Sequence, residues 1–432
     1  MTSNVTAKRT GSRSLLACAL SAAVLFCGPS FELADARAQT NGDAEEVYTG
    51  PSFDEWLDAF KTEATSKGIL QRVVDEHLAG ISIDESVYER NANQPEFAKA
   101  IWQYLDTAVS NTRLSNGQNN LSANVTRLAS IEDKYGVDAE IIAAIWGLES
   151  AYGKIMGDND VIQALATLAW RGRRTRYGRS QLIGALRILQ NGYATRDDLK
   201  GSWAGAMGQT QFIPTTYLEN AVDANGDGRR DIWNNLDDVF SSTANYLAKS
   251  GYEKDRSWGV EVTLPDGFDY DSWGPNVFRP LAEWASMGVT AARGDLLSEY
   301  DLNSRPRLLI PAGAQGPAFL VFRNFDVILK YNRSTAYALA VGLLADGLSG
   351  KPSTPAQNWP RGDRALRLSE RKALQTSLTD AGYDTGPADG IIGRNTQNAL
   401  RAWQRANGQP ADGYASVATL RALDPDAIVS SN

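Results

Sequence analysis

From Phe53 to Gly251 apolar residues recur at intervals of three and four, the spacing that lays one buried stripe along each of a series of helices. A chain patterned in this way must bury its stripes helix against helix, so a mainly α architecture is dictated before any motif is considered. Residues 259–325 break the rhythm. They are richer in Pro and Gly and carry two strand-like runs, 307–310 and 318–322, flanking Pro311-Ala312-Gly313-Ala314-Gln315-Gly316-Pro317, which reads as a hairpin with a long loop. Ser334 is a good N-cap, and helix returns over 337–348. The reading is one mainly α (α+β) domain over residues 51–348 with a small β insertion.

Pro352, Pro355 and Pro360 mark residues 349–361 as a linker. Residues 362–425 then form a separate small unit with an internal echo: Asp389-Gly390-Ile391-Ile392-Gly393, followed by Thr396, Leu400 and Gln404, resembles Asp412-Gly413-Tyr414, followed by Thr419 and Leu420. In each copy an Asp-Gly turn leads into a helix started by Thr, the pattern of a three-helix module. A core that small suits docking better than catalysis.

Residues 1–38 read as a signal peptide: Lys8, Arg9 and Arg13 precede the apolar stretch 15–26, and Ala36-Arg37-Ala38 offers a small-x-small cleavage site. Residues 39–50 are then a polar lead-in, and the destination is the periplasm. A lipid anchor at Cys18 or Cys27 is the alternative, disfavoured by the bulky Phe26 and by the early position of Cys18. The whole chain carries a net charge of −8. Cleavage would leave it more acidic and free of cysteine, the wrong balance for a nucleic-acid binder. No other apolar run is long enough to span a bilayer. The chain has one histidine, His77, so a His/Cys zinc cluster cannot be assembled and a serine triad would rest on that single imidazole. Acid–base chemistry falls to carboxylates.

One carboxylate stands out. Asp138 is a natural N-cap and Gly153 a natural C′ residue, bounding a helix whose stripe is Ile141, Ile142, Ile145 and Leu148. Glu149 lies at the edge of that stripe and in the last turn, where burial and the negative end of the helix dipole both favour the protonated form. That is what a general acid needs near neutral pH. A helix-end Glu turned to solvent or paired with Arg is the alternative. A second segment, residues 201–214, has small residues at 201, 204, 205, 206 and 208, amides at Gln209 and Gln211, and rings at Trp203 and Phe212. Close backbone approach, amides and aromatic platforms suit an N-acetylated sugar; a tight Gly-rich turn between helices is the plainer reading.

Together the two segments resemble the membrane-bound lytic murein transglycosylase B family, glycoside hydrolase family 103, with its lysozyme-like helical catalytic domain. The resemblance is carried by residues 144–154, by Gly201-Ser202-Trp203-Ala204-Gly205-Ala206-Met207-Gly208, by Gln211-Phe212-Ile213-Pro214 and by Tyr331-Asn332-Arg333-Ser334-Thr335-Ala336-Tyr337, in the family's order over about residues 53–348. It implies that Glu149 is the catalytic acid/base and that Ser202, Gln211, Phe212, Tyr331, Asn332 and Tyr337 line the glycan cleft. Trp203 departs from the usual Tyr or Phe, and Gln209-Thr210 fills a variable pair. The implied reaction cleaves peptidoglycan glycan strands between MurNAc and GlcNAc without water, leaving 1,6-anhydro ends, and needs no organic cofactor. A hydrolytic muramidase would need a second carboxylate, about 5–9.5 Å from the first. A non-catalytic wall-binding scaffold is the rival from another class.

Asp223, Asn225 and Asp227, with Gly228, the Arg229 carbonyl and Asp231, match the first half of an EF-hand loop. Its twelfth position is Asn234, so the missing charge would come from Asp237 or Asp238, with Asp238 favoured by the family's longer loop. The expectation is a structural Ca2+; an Asx-turn-rich loop is the alternative. The C-terminal unit resembles the peptidoglycan-binding domain type 1 family through Leu374-Gln375, Gly382-Tyr383, Asp389-Gly390, Gly393, Thr396, Ala399-Leu400, Trp403-Gln404, Asp412-Gly413 and Thr419. It would tether the enzyme to its substrate. Cell-wall synthesis or remodelling proteins are further candidate partners. Arg171, Arg173, Arg174, Arg176 and Arg179 could meet stem-peptide carboxylates, but a solvated loop is the favoured reading. Trp56, Trp102 and Trp170 are expected in the core.

Overall fold

The computed structural model describes residues 50–92, 99–172, 174–274 and 276–427. The segment expected to be a signal peptide, both cysteines, nearly all of the polar lead-in and Arg173 lie outside the described residues. The mainly helical architecture expected from the periodicity is the one observed, and it is organised around two apolar cores and a short sheet.

At the centre runs the helix Ala139–Ser150, buried over nearly its whole surface, against the equally apolar helix Thr335–Leu348. Helices apolar on all sides belong inside, and these two form the middle of one core together with Val239, Phe240, Phe325 and Ile328. The second core gathers the helices Phe53–Ser66, Val161–Trp170 and Thr175–Gln190. Caps fix where elements begin. Ser52 and Glu55 make a reciprocal capping box, Asp160 receives Gln163 N–H, and Ser334 Oγ receives Tyr337 N–H at 3.3 Å, as the sequence predicts for that helix.

The helix bearing Glu149 stops earlier than its Gly153 suggests. Ala151, Tyr152 and Gly153 all adopt positive φ, at 50°, 61° and 80°. Left-handed backbone is costly for the first two, and tertiary packing of Tyr152 offsets the cost. Its ring packs edge-on to Trp146 at 5.3 Å, and its hydroxyl donates to the Arg113 carbonyl at 3.0 Å. Gly147 makes room: a Cβ there would lie 2.5 Å from the Tyr152 ring.

The insertion is a four-stranded antiparallel sheet in the order Thr290–Ala291, Gly259–Thr263, Ala318–Val321, Arg307–Leu309. The predicted hairpin is its last pair, with Leu308 opposite Leu320. The strand Ala318–Val321 is buried on both faces. Phe319 and Val321 enter the helical core while Ala318 and Leu320 enter the insertion's own core, so the two-residue period of one strand joins the layers.

The segment 349–361 is not a loose tether. Trp359 packs beside Trp102 at 6.3 Å, Arg361 makes a two-point contact with Asp106, and Ala356 and Gln357 N–H groups bond the Glu261 carboxylate. Beyond it the helices Leu368–Asp380, Arg394–Ala406 and Val417–Leu423 close on Leu374, Leu378, Leu400, Trp403 and Leu420. This module also touches the insertion: Arg401 lies over the Trp273 ring at 4.4 Å.

Candidate active site

Glu149 occupies the penultimate position of its helix and is partly buried. Its carboxyl Oε1 accepts a hydrogen bond from Tyr337 Oη at 2.7 Å. Desolvation is the dominant influence and pushes the pKa from the ordinary 4.5 to about 7, with the Tyr337 hydroxyl pulling in the other direction. The group is therefore an acid poised to exist in both protonation states near neutral pH.

Three tyrosines feel its charge. Burial and then Glu149 push Tyr104 up to about 12 and raise Tyr331 and Tyr337 well above the phenol range, so all three remain neutral donors. Tyr331 Oη donates to the Thr210 carbonyl at 2.7 Å, joining the 331–337 turn to the Gly-rich loop. Asn332 Oδ1 receives Ser334 N–H at 3.1 Å and stands at the start of that turn. Tyr104 comes from the helix Ile101–Ala108; its amphipathic pattern there gives no sign of a site role.

The Gly-rich loop is fastened to the chain that follows Glu149. Asn159 pairs with Gly201, and Gln211 Nε2 donates to the carbonyls of Met156 at 3.0 Å and Gly208 at 2.8 Å. Gln211 sits at φ 51°. Its amide hydrogens are thus committed to backbone, which turns its carbonyl into the group left for a ligand. Ser202 Oγ receives Ala206 N–H at 3.0 Å and is partly exposed. Phe212 differs from the expected platform. It is 2 % exposed, with its ring against Tyr331 at 5.8 Å and Tyr246 at 5.9 Å, so it supports Tyr331 from behind because the loop turns its ring into the second core. Gln209 is likewise no sugar ligand. Buried, it accepts from Trp146 Nε1 at 2.6 Å and donates to the Trp233 carbonyl at 2.7 Å, clamping the Glu149 helix to the chain beyond the aspartate loop. Gly153 permits this, since a Cβ there would lie 2.4 Å from Gln209 Oε1.

The aspartate loop folds on itself. Asp223 accepts from the N–H groups of Gly226, Asp227 and Gly228, and Asp227 from that of Arg229 and from the Asn225 amide. Asp238, fully buried, accepts from Ala224 and Asp231. The Arg229 guanidinium pairs with Asp198 at 2.5 Å. Among the described residues no three His, Cys, Asp or Glu side chains converge as a metal cluster. The donor set nevertheless consists of hard oxygens, the kind calcium takes, and Asp223 and Asp227 lie near enough to Asp238 to raise its pKa beyond the effect of burial.

The arginine run is dispersed. Arg171 lies over Tyr88 at 4.7 Å, Arg174 over Trp203 at 5.6 Å, and Arg179 pairs with Glu63. Trp56 and Trp102 are core residues as expected; Trp170 is partly exposed and donates to the Pro51 carbonyl at 2.9 Å.

Comparison with known proteins agrees with this geometry. Residues 52–346 match the family described as transglycosylase SLT domain, and residues 367–423 a putative peptidoglycan binding domain. The chain is 34 % identical over 221 residues to membrane-bound lytic murein transglycosylase B of Escherichia coli strain K12, an alignment covering 50 % of this chain and 58 % of that protein. The chain thus spans less than two thirds of that curated relative. The SltB3 structure from Pseudomonas aeruginosa, in complex with NAG-anhNAM-pentapeptide, is 48 % identical with a TM-score of 0.84, covering 87 % of this chain and 100 % of that one. The Escherichia coli lytic transglycosylase Slt35 in complex with calcium is 28 % identical with a TM-score of 0.58, over 68 % of this chain and 92 % of its own. A match spanning well over half of the residues, on a mainly helical fold with a single poised carboxyl group, places the chain in the transglycosylase SLT domain family, with a peptidoglycan-binding module behind the catalytic domain.

Proposed function

We propose that this protein is a peptidoglycan lytic transglycosylase that acts outside the cytoplasm, in the periplasm, with Glu149 as its single acid then base. The observation that carries the reading is the desolvated Glu149 carboxyl group, held by Tyr337 at a pKa of about 7. In the protonated form Glu149 gives its proton to the oxygen linking MurNAc C1 to GlcNAc, and the C1–O bond breaks. The resulting carboxylate then takes the proton from the MurNAc C6 hydroxyl while that oxygen closes on C1. One proton leaves Glu149 and one returns, and no water is consumed. A hydrolase would need a second carboxylate about 5–9.5 Å from Glu149, whereas this route needs Glu149 alone.

Ser202, the Gln211 carbonyl, Tyr331 and Asn332 are the polar groups proposed to hold the glycan, with Tyr337 orienting the acid and Phe212 backing Tyr331. Residues 51–348 are the catalytic domain, residues 349–361 a docked connector, and residues 362–425 the module that holds the wall. A calcium ion held by Asp223, Asn225, Asp227, the Arg229 carbonyl and Asp238 would neutralise the loop's clustered charge and stiffen it; the calcium-bound relative and the all-oxygen donor set support this. The reaction is tested by mass spectrometry of muropeptides released from purified sacculi. Products one water lighter than reducing-end muropeptides and resistant to borohydride are expected; reducible products would convert the enzyme to a muramidase.

A further inference from the structure

The two Asp-Gly turns of the C-terminal module are the same device built twice. In Pro387-Ala388-Asp389-Gly390-Ile391, Asp389 N–H donates to the Pro387 carbonyl at 2.8 Å; in Pro410-Ala411-Asp412-Gly413-Tyr414, Asp412 N–H donates to the Pro410 carbonyl at 2.9 Å. Each Asp Oδ1 accepts the N–H two residues on, from Ile391 and Tyr414 at 2.8 and 2.9 Å. Each turn is read by a glutamine: Gln375 contacts Asp389 Oδ1 and Gly390 N–H, and Gln404 contacts Asp412 Oδ1 and Gly413 N–H. What remains in each copy is one carboxylate oxygen beside one large side chain, Ile391 or Tyr414.

The copies differ in what that remainder does. In the second copy it is occupied by the catalytic domain. Asp412 Oδ2 accepts Ala314 N–H at 2.7 Å, and Gly313 sits against Tyr414. The occupant has a stereochemical signature. Gly313 adopts φ 65°, and an L side chain there would place its Cβ 2.5 Å from Asp412 Oδ2 and 2.8 Å from Tyr414 Cβ. A D residue favours that φ and projects its side chain in the other tetrahedral direction. In the first copy, Asp389 is exposed and its Oδ2 receives no hydrogen bond from another residue among the described ones. Ile391 is 68 % exposed, the most exposed large apolar side chain among the described residues.

We propose that the open clamp, Asp389 with Ile391, is the module's wall-binding site and that it takes peptide stems through an amide N–H that follows a D residue. This rests on the wall-binding reading of the module and adds its ligand. An uncropped peptidoglycan stem ends in two D residues joined by an α-amide, so it offers the backbone that the closed clamp accepts only from glycine. Lys372, exposed and with its charge within reach of the Asp389 carboxylate, supplies a cation for the carboxylates such stems carry.

The test uses the full-length chain as Glu149→Gln, with isoleucine δ1 methyl groups labelled for NMR. The Ile391 methyl resonance, identified by its loss in Ile391→Val, should shift with a stem pentapeptide ending in that D–D pair. It should stay in place with the all-L diastereomer and with an N-acetylglucosamine oligomer. By calorimetry, Asp389→Asn should weaken the stem pentapeptide about tenfold or more, the scale of a charge-assisted hydrogen bond, and Ile391→Ser about as much through lost apolar burial, while Asp412→Asn should not. Equal response to the all-L peptide, or response to the glycan oligomer alone, would overturn the proposal. If sacculi still sediment the chain while the Ile391 methyl stays unmoved by peptide, this site is wrong and the wall-binding reading stands. If neither sacculi nor peptide are bound, both fall.

Discussion

Replacing Glu149 by Gln should make the protein inactive and, at alkaline pH, more stable. The folded chain holds the Glu149 proton up to about pH 7, whereas an exposed glutamate releases it near 4.5. Between those values unfolding releases a proton, so this group makes stability fall as pH rises through the window, and the loss is complete above it. At 1.36 kcal/mol per pKa unit the penalty for ionised Glu149 approaches about 3 kcal/mol. The glutamine side chain of the variant carries no charge and keeps an oxygen for the Tyr337 hydroxyl. The variant should therefore melt close to wild type at pH 5 and a few degrees higher at pH 8, by roughly 3–4 °C for a chain of this size. Calorimetric scans of both proteins at the two pH values, beside sacculus turnover, make the measurement. A gap that does not widen between pH 5 and pH 8 would refute the desolvated-acid argument. Retained turnover would remove Glu149 from the chemistry altogether.

The other expectations are briefer. Tyr337→Phe removes the hydrogen bond that lowers the Glu149 pKa, so the alkaline limb of the kcat profile should move to higher pH. A limb that stays put would show that the hydroxyl does not reach the acid in solution. Gln209→Met deletes both arms of the clamp between Trp146 and Trp233 and leaves a buried indole N–H and a carbonyl unpaired. It should cost about 2–5 kcal/mol in urea unfolding, with kcat falling more than KM rises; unchanged stability would mean the clamp contributes nothing. Millimolar calcium should raise the melting temperature and EDTA reverse it, with Asp238→Asn abolishing the response; no shift in wild type would leave the loop as a set of Asx turns.

Much of the candidate site lies in contiguous motifs, which is why it can be read from the chain. Glu149, the 201–214 loop and the 331–337 turn each hold their residues within a few positions, and local rules place Ser334 as a cap and Glu149 at a helix end. Tyr104 escapes that reading because it sits on an ordinary amphipathic helix and is brought to Glu149 only by packing. Phe212 and Gln209 are misread for a related reason. A ring or an amide in a Gly-rich loop looks like a ligand group until the loop's path decides which way it points. The Pro-rich segment 349–361 has linker composition, yet Trp359 and Arg361 find partners on Trp102 and Asp106 some 255 residues earlier, a distance no local pattern encodes.

The helical class, the small insertion, the appended module and the candidate acid all follow from the order of residues, because periodicity, caps and motif spacing are local properties of the chain. That the candidate acid is desolvated, that Tyr337 holds it, and that one Asp-Gly turn is closed by the larger domain while its twin stays open emerge only once the chain is folded. Those properties depend on what surrounds a group in space, and burial and pairing are set by residues far away along the chain.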